Sequence, residues 1–453
     1  MPRDTHGRSL LLRDIELVFT MDPPEKVLEK VSIYIEDGKI KDIGRREEVV
    51  SRQGSPDEEI ECADMIAIPG MINAHTHLAM IALRGLAADR SDVLYEIFWP
   101  SEKALTAELT GKLALMGALE AVKSGSTLVA EHYFFAEEIA QAIEKVGLRG
   151  LVGHTVMSWD GPWVGEEELR KAIDFTRKWS KREGLVKPVL APHSPETVSR
   201  EWLRLFREMS SETGLLIHMH LAQSKREVEK VKKRTGLTPV RLLHSLGLLN
   251  EKVLAAHCLY VDEEEKRLLA STGTMVVLCP SVYMLAGEEF YAYDLLSLGG
   301  NVLIGTDSPC YNDGIDIFRE VRNLVYGQRL LKRSSSILTA REVLELATYR
   351  SAELLGLKKL GRIAPGYKAD IVLLKPRPPR LRPLNDPYSC VVYSTSAGDV
   401  DTVIIDGRVV VRGGISTMVN EEEVVKEGER ATKTLLRRAV ELSPQLKRFL
   451  PMM

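Results

Sequence analysis

Residues 214–221 read GLLIHMHL, an apolar run closing on two histidines one residue apart. A short apolar run without alternation has the pattern of a strand covered on both faces, as in parallel sheets. Seven more stretches repeat it: MIAIPGMINAHTH (65–77), STLVAEHYF (126–134), GLVGHTV (150–156), KPVLAPHS (187–194), KVLAAHC (252–258), GTMVVLCP (273–280) and NVLIGTDS (301–308). Helical periodicity fills the gaps, as in ELTGKLALMGALEAVKS (108–124) and DEEEKRLLAST (262–272). Eight alternating units predict an α/β fold of the (β/α)8 TIM-barrel type rather than an open doubly wound sheet. No glycine-rich phosphate turn follows the first strand, which also weighs against a dinucleotide fold.

The chain ends have a different rhythm. VSIYIEDGKIKDIG (31–44) predicts a hairpin about Asp37-Gly38, and VDTVIIDGRVVVRGG (400–414) another about Asp406-Gly407, preceded by the strand KADIVLLK (368–375). Neither end is large enough to fold alone, so the two are expected to pair as one small β-sandwich beside the barrel. The expected division is residues 1–65 and 363–418 for the sandwich, 66–362 for the barrel, and 419–453 for a helical tail. That tail opens at Asn420 with Glu421, Glu422 and Glu423 in the first turn, an N-terminal capping pattern.

Composition narrows the function. A chain of 453 residues with 44% apolar and 28% charged side chains is an ordinary globular protein of two or three units. Its formal charge is −3, from 61 basic and 64 acidic side chains, which disfavours a nucleic acid or an anionic membrane as partner. EVEKVKKR (227–234) is mixed in sign and reads as a solvated helix face. The N-terminus has no leader-like apolar core, and no run of about 18 apolar residues occurs. Five cysteines in no CxxC pair fit reduced thiols and a cytoplasmic location.

The strand ends carry the chemistry, because a barrel of this type reacts where its strands finish. Strand 1 ends in His75-Thr76-His77, strand 2 in Glu131-His132, strand 4 in His193, strand 5 in His218 and His220, strand 6 in His257 and strand 8 in Asp307. Residues i and i+2 of a strand share a face, so His75 and His77 both point to the barrel axis. With one imidazole from strand 5 and the strand 8 carboxylate they make a nitrogen/oxygen set suited to zinc or ferrous iron, with a position open for water. His257 would orient that water or join the ligands. Asp307 can both ligate and take the water's proton.

The stretches PGMINAHTHLAM, LRGLAAD, APHS, HMHLAQS, AAHC and GTDSP together resemble the amidohydrolase superfamily over nearly the whole chain. The likeness is to the branch holding methylthioadenosine/S-adenosylhomocysteine deaminases, guanine-type deaminases and triazine (chloro)hydrolases. The terminal β-sandwich is a feature of that family too. The resemblance implies the metal ligands His75, His77, His220 and Asp307, with His257 on the water and His193 facing the substrate. It also implies a homo-oligomer. Binuclear members carry a bridging lysine at the end of strand 4, where this chain has LAPHS. One divalent ion per subunit is therefore expected, zinc first, with iron or manganese as alternatives, and Lys187 is read as a surface residue. His218 is read as a buried neighbour of the ligands.

Two departures matter. Deaminating relatives run His-x-x-Glu after strand 5, where the glutamate hands a proton to a ring nitrogen; this chain has His220-Leu-Ala-Gln223. An amide has no proton to give near neutrality. Gln223 would then contact a substrate needing no ring protonation, or another carboxylate (Glu131, Glu96 or Asp160) would move the proton, or the site would bind without turnover, natively or through an introduced change. After strand 7, LCPSVYMLAGEE lacks the Asn and Lys of nucleoside-binding relatives, which points away from a nucleoside and toward a flatter contact at Tyr283 and Met284. The segments SDVLYEIFWPSE (91–102) and SWDGPWVGEEE (158–168) are candidate lids, with Glu96, Trp99, Asp160 and Trp163 as their notable side chains. Substrate contacts are thus expected from His193, Gln223, Glu96, Trp99, Tyr283 and Glu131. The expected activity is attack of a metal-bound hydroxide on a small nitrogen heterocycle, first of all a deamination releasing ammonia. Hydrolysis of a cyclic amide or of a halogen or other ring leaving group, and a silent binding protein, are the alternatives.

Overall fold

The computed structural model describes residues 8–22, 27–87, 89–90, 92–376, 378–379 and 381–450. Residues 1–7, read above as free of a leader's core, lie outside it. The eight expected barrel strands are all present: strand 1 (Met71–Thr76), 2 (Ser126–Tyr133), 3 (Arg149–Val156), 4 (Val186–Pro188 and Ala191–Pro192), 5 (Ile217–Leu221), 6 (Val253–His257), 7 (Met275–Leu278) and 8 (Asn301–Ile304). Every neighbouring pair is parallel. Single parallel bridges, Leu190 to Ile217 and Thr76 to Asp307, join the two halves and close the ring. The second bridge sets Thr76, the last residue of strand 1, beside Asp307, three residues past strand 8, and Asp307 N donates to His75 O at 2.9 Å.

One expected strand divides in two. Of residues 65–77, Ile66–Pro69 pairs in the terminal sheet and only Met71–Thr76 enters the barrel. Gly70 is the joint, where a Cβ would fall 2.1 Å from Thr127 Oγ1. The terminal strands form one continuous nine-stranded sheet rather than two separately paired layers. It curls around its own apolar core, which includes Leu12, Ile33, Ile35, Ile371 and Ile404. Both predicted hairpins turn as read, with φ of 50° and 73° at Asp37 and Gly38 and of 52° and 76° at Asp406 and Gly407. The turns abut, since a Cβ on Gly38 would lie 2.9 Å from Asp406 O.

A buried ion pair fastens this sheet to the barrel. Arg149, opening strand 3, bonds Asp370 through Nε at 2.7 Å and Nη2 at 2.9 Å, and reaches Asp406 at 2.6 Å. The tail forms a helix over Glu421–Leu442, capped by Asn420 accepting from Glu423 N at 3.2 Å. It packs on the helix Ala107–Lys123, where Gly428 admits Met116 closely. The site therefore sits at the carboxyl ends of the barrel strands, away from this sheet.

Candidate metal centre

Strands 1, 5, 6 and 8 bring His75, His77, His220, His257 and Asp307 together, all of them buried. One ligand atom from each of His75, His77 and His220 lies within 4.8 Å of the others, and the same holds for His75, His257 and Asp307. Asp307 Oδ1 stands 3.5 Å from His77 Nε2 and 3.9 Å from His75 Nε2.

Hydrogen bonds on the far side of the rings fix the tautomers. His77 Nδ1 meets the His132 carbonyl at 2.6 Å and His220 Nδ1 meets the His193 carbonyl at 3.2 Å. A carbonyl can only accept, so both Nδ1 atoms carry hydrogen. Burial drives His77 down to about 4 and His220 well below its ordinary value, so both rings are neutral near pH 7 and each Nε2 is a bare lone pair. Those lone pairs face each other at 3.3 Å. Two acceptors that close repel unless a cation lies between them, and beside them the Nε2 of His75 is buried with no hydrogen-bond partner among the described residues. The donor set thus fits a divalent ion, with the outer hydrogen bonds aiming each ring.

The backbone bends sharply at the same places. Ala222, His257 and Asp307 adopt φ of 49°, 80° and 58°, in the left-handed region that non-glycine residues seldom occupy. Such strain persists where surrounding structure holds it, often at functional sites. Desolvation raises the Asp307 carboxyl to about 7. His257 is driven to about 3 by burial, and its Nδ1 lies 3.0 Å from the Tyr283 hydroxyl.

Residues 66–410 match the amidohydrolase family. The chain belongs to that family. As an amidohydrolase it acts on carbon–nitrogen bonds other than peptide bonds. It is 37% identical over 405 residues to the 5-methylthioadenosine/S-adenosylhomocysteine deaminase of Pyrococcus furiosus, covering 88% of this chain and 95% of the relative. To the 5'-deoxyadenosine deaminase of Methanopyrus kandleri it is 36% identical over 417 residues, covering 91% and 96%. The crystal structure of an adenosine deaminase from Xanthomonas campestris with bound zinc superposes with a TM-score of 0.89 at 26% identity, over 95% of this chain and 99% of that one.

Around the amidohydrolase centre, His193, Gln223 and Trp99 line the pocket, together with His132, Tyr133, Phe134, Met157 and Ser308. His193 Nδ1 bonds Thr197 Oγ1 at 2.8 Å. His218 is the buried neighbour expected, 2.8 Å from His75 Nδ1. Three expected substrate contacts lie elsewhere. Glu96 is on the surface, paired with Arg448 at 3.2 Å. Glu131 is buried behind strand 1, where its two oxygens accept from Leu78 N at 3.1 and 3.0 Å. Tyr283 is buried against His257 instead of facing the pocket. Of the other side chains named from sequence, Asp160 is exposed, Met284 is 44% exposed, and Trp163 donates to the Glu102 carbonyl at 3.1 Å. Lys187 is a surface residue, as read.

Two carboxyl groups escaped the sequence reading. Glu102 lines the pocket, accepts the Tyr133 hydroxyl at 2.6 Å, and is pushed up to about 7 by burial. Glu227, first residue of the supposedly solvated EVEKVKKR, is fully buried. Its oxygens accept from Ala222 N at 3.1 Å and Gln223 N at 2.8 Å, so it holds the turn that presents Gln223. The only sign of either in sequence is a lone acid at a helix start, too common a pattern to single one out.

Proposed function

We propose that this amidohydrolase deaminates adenosine analogues altered at the 5' position, replacing the exocyclic amino group with oxygen and releasing ammonia. The observation that carries the reading is the pair of opposed imidazole lone pairs, His77 and His220, within a donor set completed by His75 and Asp307. Those four side chains would hold one divalent ion, zinc first among the alternatives. When bound, the ion would supply Lewis acidity, bringing a water's pKa toward about 7.

The chain's own residues supply the rest. Asp307 can accept a proton near neutrality, and His257, held by Tyr283, orients the attacking water. Trp99 and His193 flank the ring. Gln223 donates an amide hydrogen bond to a ring nitrogen but cannot protonate it. Glu102, with one oxygen taken by Tyr133, has acceptor capacity left for sugar hydroxyls. The segment after strand 7, whose departure pointed away from nucleosides, buries Cys279 and sets Tyr283 against His257, which leaves that choice open. The relatives' substrates, named for nucleosides at over nine-tenths of their length, turn it toward adenosine.

A second reading, displacement of a different ring substituent, draws on Gln223, because a good leaving group needs no ring protonation. The experiment is ammonia release by zinc-loaded protein from 5'-methylthioadenosine, 5'-deoxyadenosine, S-adenosylhomocysteine and adenosine, with guanine, cytosine and chlorinated triazines beside them. Ammonia from the adenosine compounds is expected. Silence on all of them alongside turnover of a triazine would replace this reading with the second.

A further inference from the structure

His132 is next to last in strand 2 and stands outside the proposed ligand set. It is buried, and it lines the cavity beside the metal centre. Its ring centroid lies 4.8 Å from that of His220 and 6.0 Å from that of His193. Thr155 Oγ1 holds its Nδ1 at 2.8 Å, while its Nε2 is buried with no hydrogen-bond partner among the described residues. Two other histidine nitrogens share that condition, His75 Nε2 and His218 Nδ1. The first belongs to the ligand set, and the second to a side chain that does not line the cavity. Buried polar atoms are nearly always satisfied, so an open one on a cavity wall calls for a partner that arrives with the substrate.

The order of the strands says which part of a substrate this nitrogen meets. Strands 1, 5, 6 and 8 carry the ligands and the ring that orients water, so a base lies against the remaining arc, strands 2 to 5. Gln223, just past strand 5, is at one end of that arc, His193 is between, and His132 is at the other end. A purine that turns C6 to the ion carries N1 on one side of that carbon and N7 on the other. With N1 at Gln223, N7 falls on the side of His132. Burial holds the His132 imidazole at about 3, so near pH 7 it is neutral with one ring hydrogen. The Thr155 hydroxyl can donate to Nδ1, which puts that hydrogen on Nε2, the form that suits an acceptor such as N7.

We propose that His132 is a substrate contact, donating a hydrogen bond from Nε2 to N7 of the purine. The assignment rests on the adenosine-analogue reading. A donor at N7 draws electron density from the ring and makes C6 easier to attack, so strand 2 supplies part of the activation that the Gln223 amide cannot give by protonation. The contact also makes the enzyme favour purines over six-membered rings, which have no N7.

The test is a cycle between side chain and substrate atom. Zinc-loaded wild type, His132→Leu and His132→Gln are assayed for kcat and KM on 5'-deoxyadenosine and its 7-deaza and 3-deaza analogues. Dissociation constants of purine riboside, which lacks the amino group, and of its 7-deaza analogue are measured by calorimetry. Each loss is read as a ratio between substrates within one protein, so any shortage of folded or metal-loaded enzyme cancels. His132→Leu should cost about tenfold on compounds that keep N7 and little on the 7-deaza ones. His132→Gln, whose amide N–H can stand near the place of Nε2, should recover part of that loss. Equal losses with and without N7, or a loss that vanishes on the 3-deaza compound or on purine riboside instead, would overturn the N7 contact while leaving deamination standing. A second bound ion per chain that His132→Leu removes would also overturn it, since Nε2 would then be a ligand. If nothing is turned over but purine riboside binds with the loss that depends on both His132 and N7, the contact stands and the deaminase reading falls. If none of these compounds is bound or turned over, both fall.

Discussion

Replacing Glu227 with glutamine keeps the shape of the side chain and removes its charge, and the structure gives the expected consequence as a function of pH. The carboxylate faces two backbone donors, Ala222 N at 3.1 Å and Gln223 N at 2.8 Å. Glutamine offers one oxygen and one NH2, so one buried N–H loses its acceptor, at a cost of about 1–3 kcal/mol. Burial, opposed by those two N–H bonds, raises the folded-state pKa from 4.5 to about 7. Between those values the folded protein keeps a proton that the unfolded chain has released, so rising pH favours unfolding. The group's stabilising contribution is complete below pH 4.5 and lost by about pH 7, a change of about 3 kcal/mol. Glutamine does not titrate and has no such loss. Glu227→Gln should therefore be the less stable protein at pH 5, and the gap should close or reverse by pH 8. Guanidinium unfolding midpoints of both chelated proteins at the two pH values measure it. Meanwhile kcat/KM should fall at every pH, because the turn presenting Gln223 loses a bond. A stability gap that is constant or widens with pH would refute the reasoning, since it would mean that Glu227 ionises as an exposed carboxylate does.

Gln223→Glu restores an ionisable group at the place that faces the ring and should raise kcat for ammonia release by about 10² or more; an unchanged or lower kcat would show that the wild-type pocket already protonates the ring by another route. His220→Ala removes one of the two opposed lone pairs, so bound metal measured by elemental analysis should drop to background and activity with it, while added chelator should lower the melting temperature of the wild type and leave that of the variant unchanged. Arg149→Ala leaves the buried Asp370 unpaired and should destabilise the fold by about 3–5 kcal/mol, with kcat unchanged at temperatures where the variant is folded.

How much of this the sequence could show follows from where each residue sits. Strand ends were legible because a parallel strand announces itself as an apolar run and the chemistry falls on the polar residues just past it. The H-x-H spacing carried face information as well, since a period of two puts both rings on one side. What periodicity cannot say is which way a single strand-end residue faces, and Glu131 turned back to hold Leu78 N. Glu96 was misplaced for a related reason. Residues Leu94–Phe98 form a turn of π-helix, whose wider winding departs from regular helical spacing. Glu102 was invisible because its burial depends on Tyr133, 31 residues away, and Glu227 because a mixed-charge run does not show that one acid folds back onto the strand 5 turn just before it. Even the division of residues 65–77 at Gly70 is tertiary, set by the Thr127 side chain pressing on the joint.

These pieces explain why the centre is held so tightly without being comfortable on its own. Burial is the main force that pushes His77 to about 4, His257 to about 3 and Asp307 up to about 7, so the ring of side chains reaches neutrality by giving up charge. Neutral imidazoles then present lone pairs to one another, and three turns around them, at Ala222, His257 and Asp307, sit in a backbone region that costs energy. Within the cluster His75 meets His218 at 2.8 Å and Asp307 accepts from Ser308 N at 2.6 Å. Further compensation comes from outside it, from carbonyl bonds on the far side of the rings, from Glu227 under the strand 5 turn, and from the closed hydrogen bonding of the barrel. A cation placed among the lone pairs would turn the repulsion into attraction, so stability and metal binding should be coupled in this protein. Gln223 stands apart from that coupling. Its backbone N–H bonds Glu227, which is not one of the metal-ligating residues, so an acid can be restored at its side chain without removing any residue that would hold the ion.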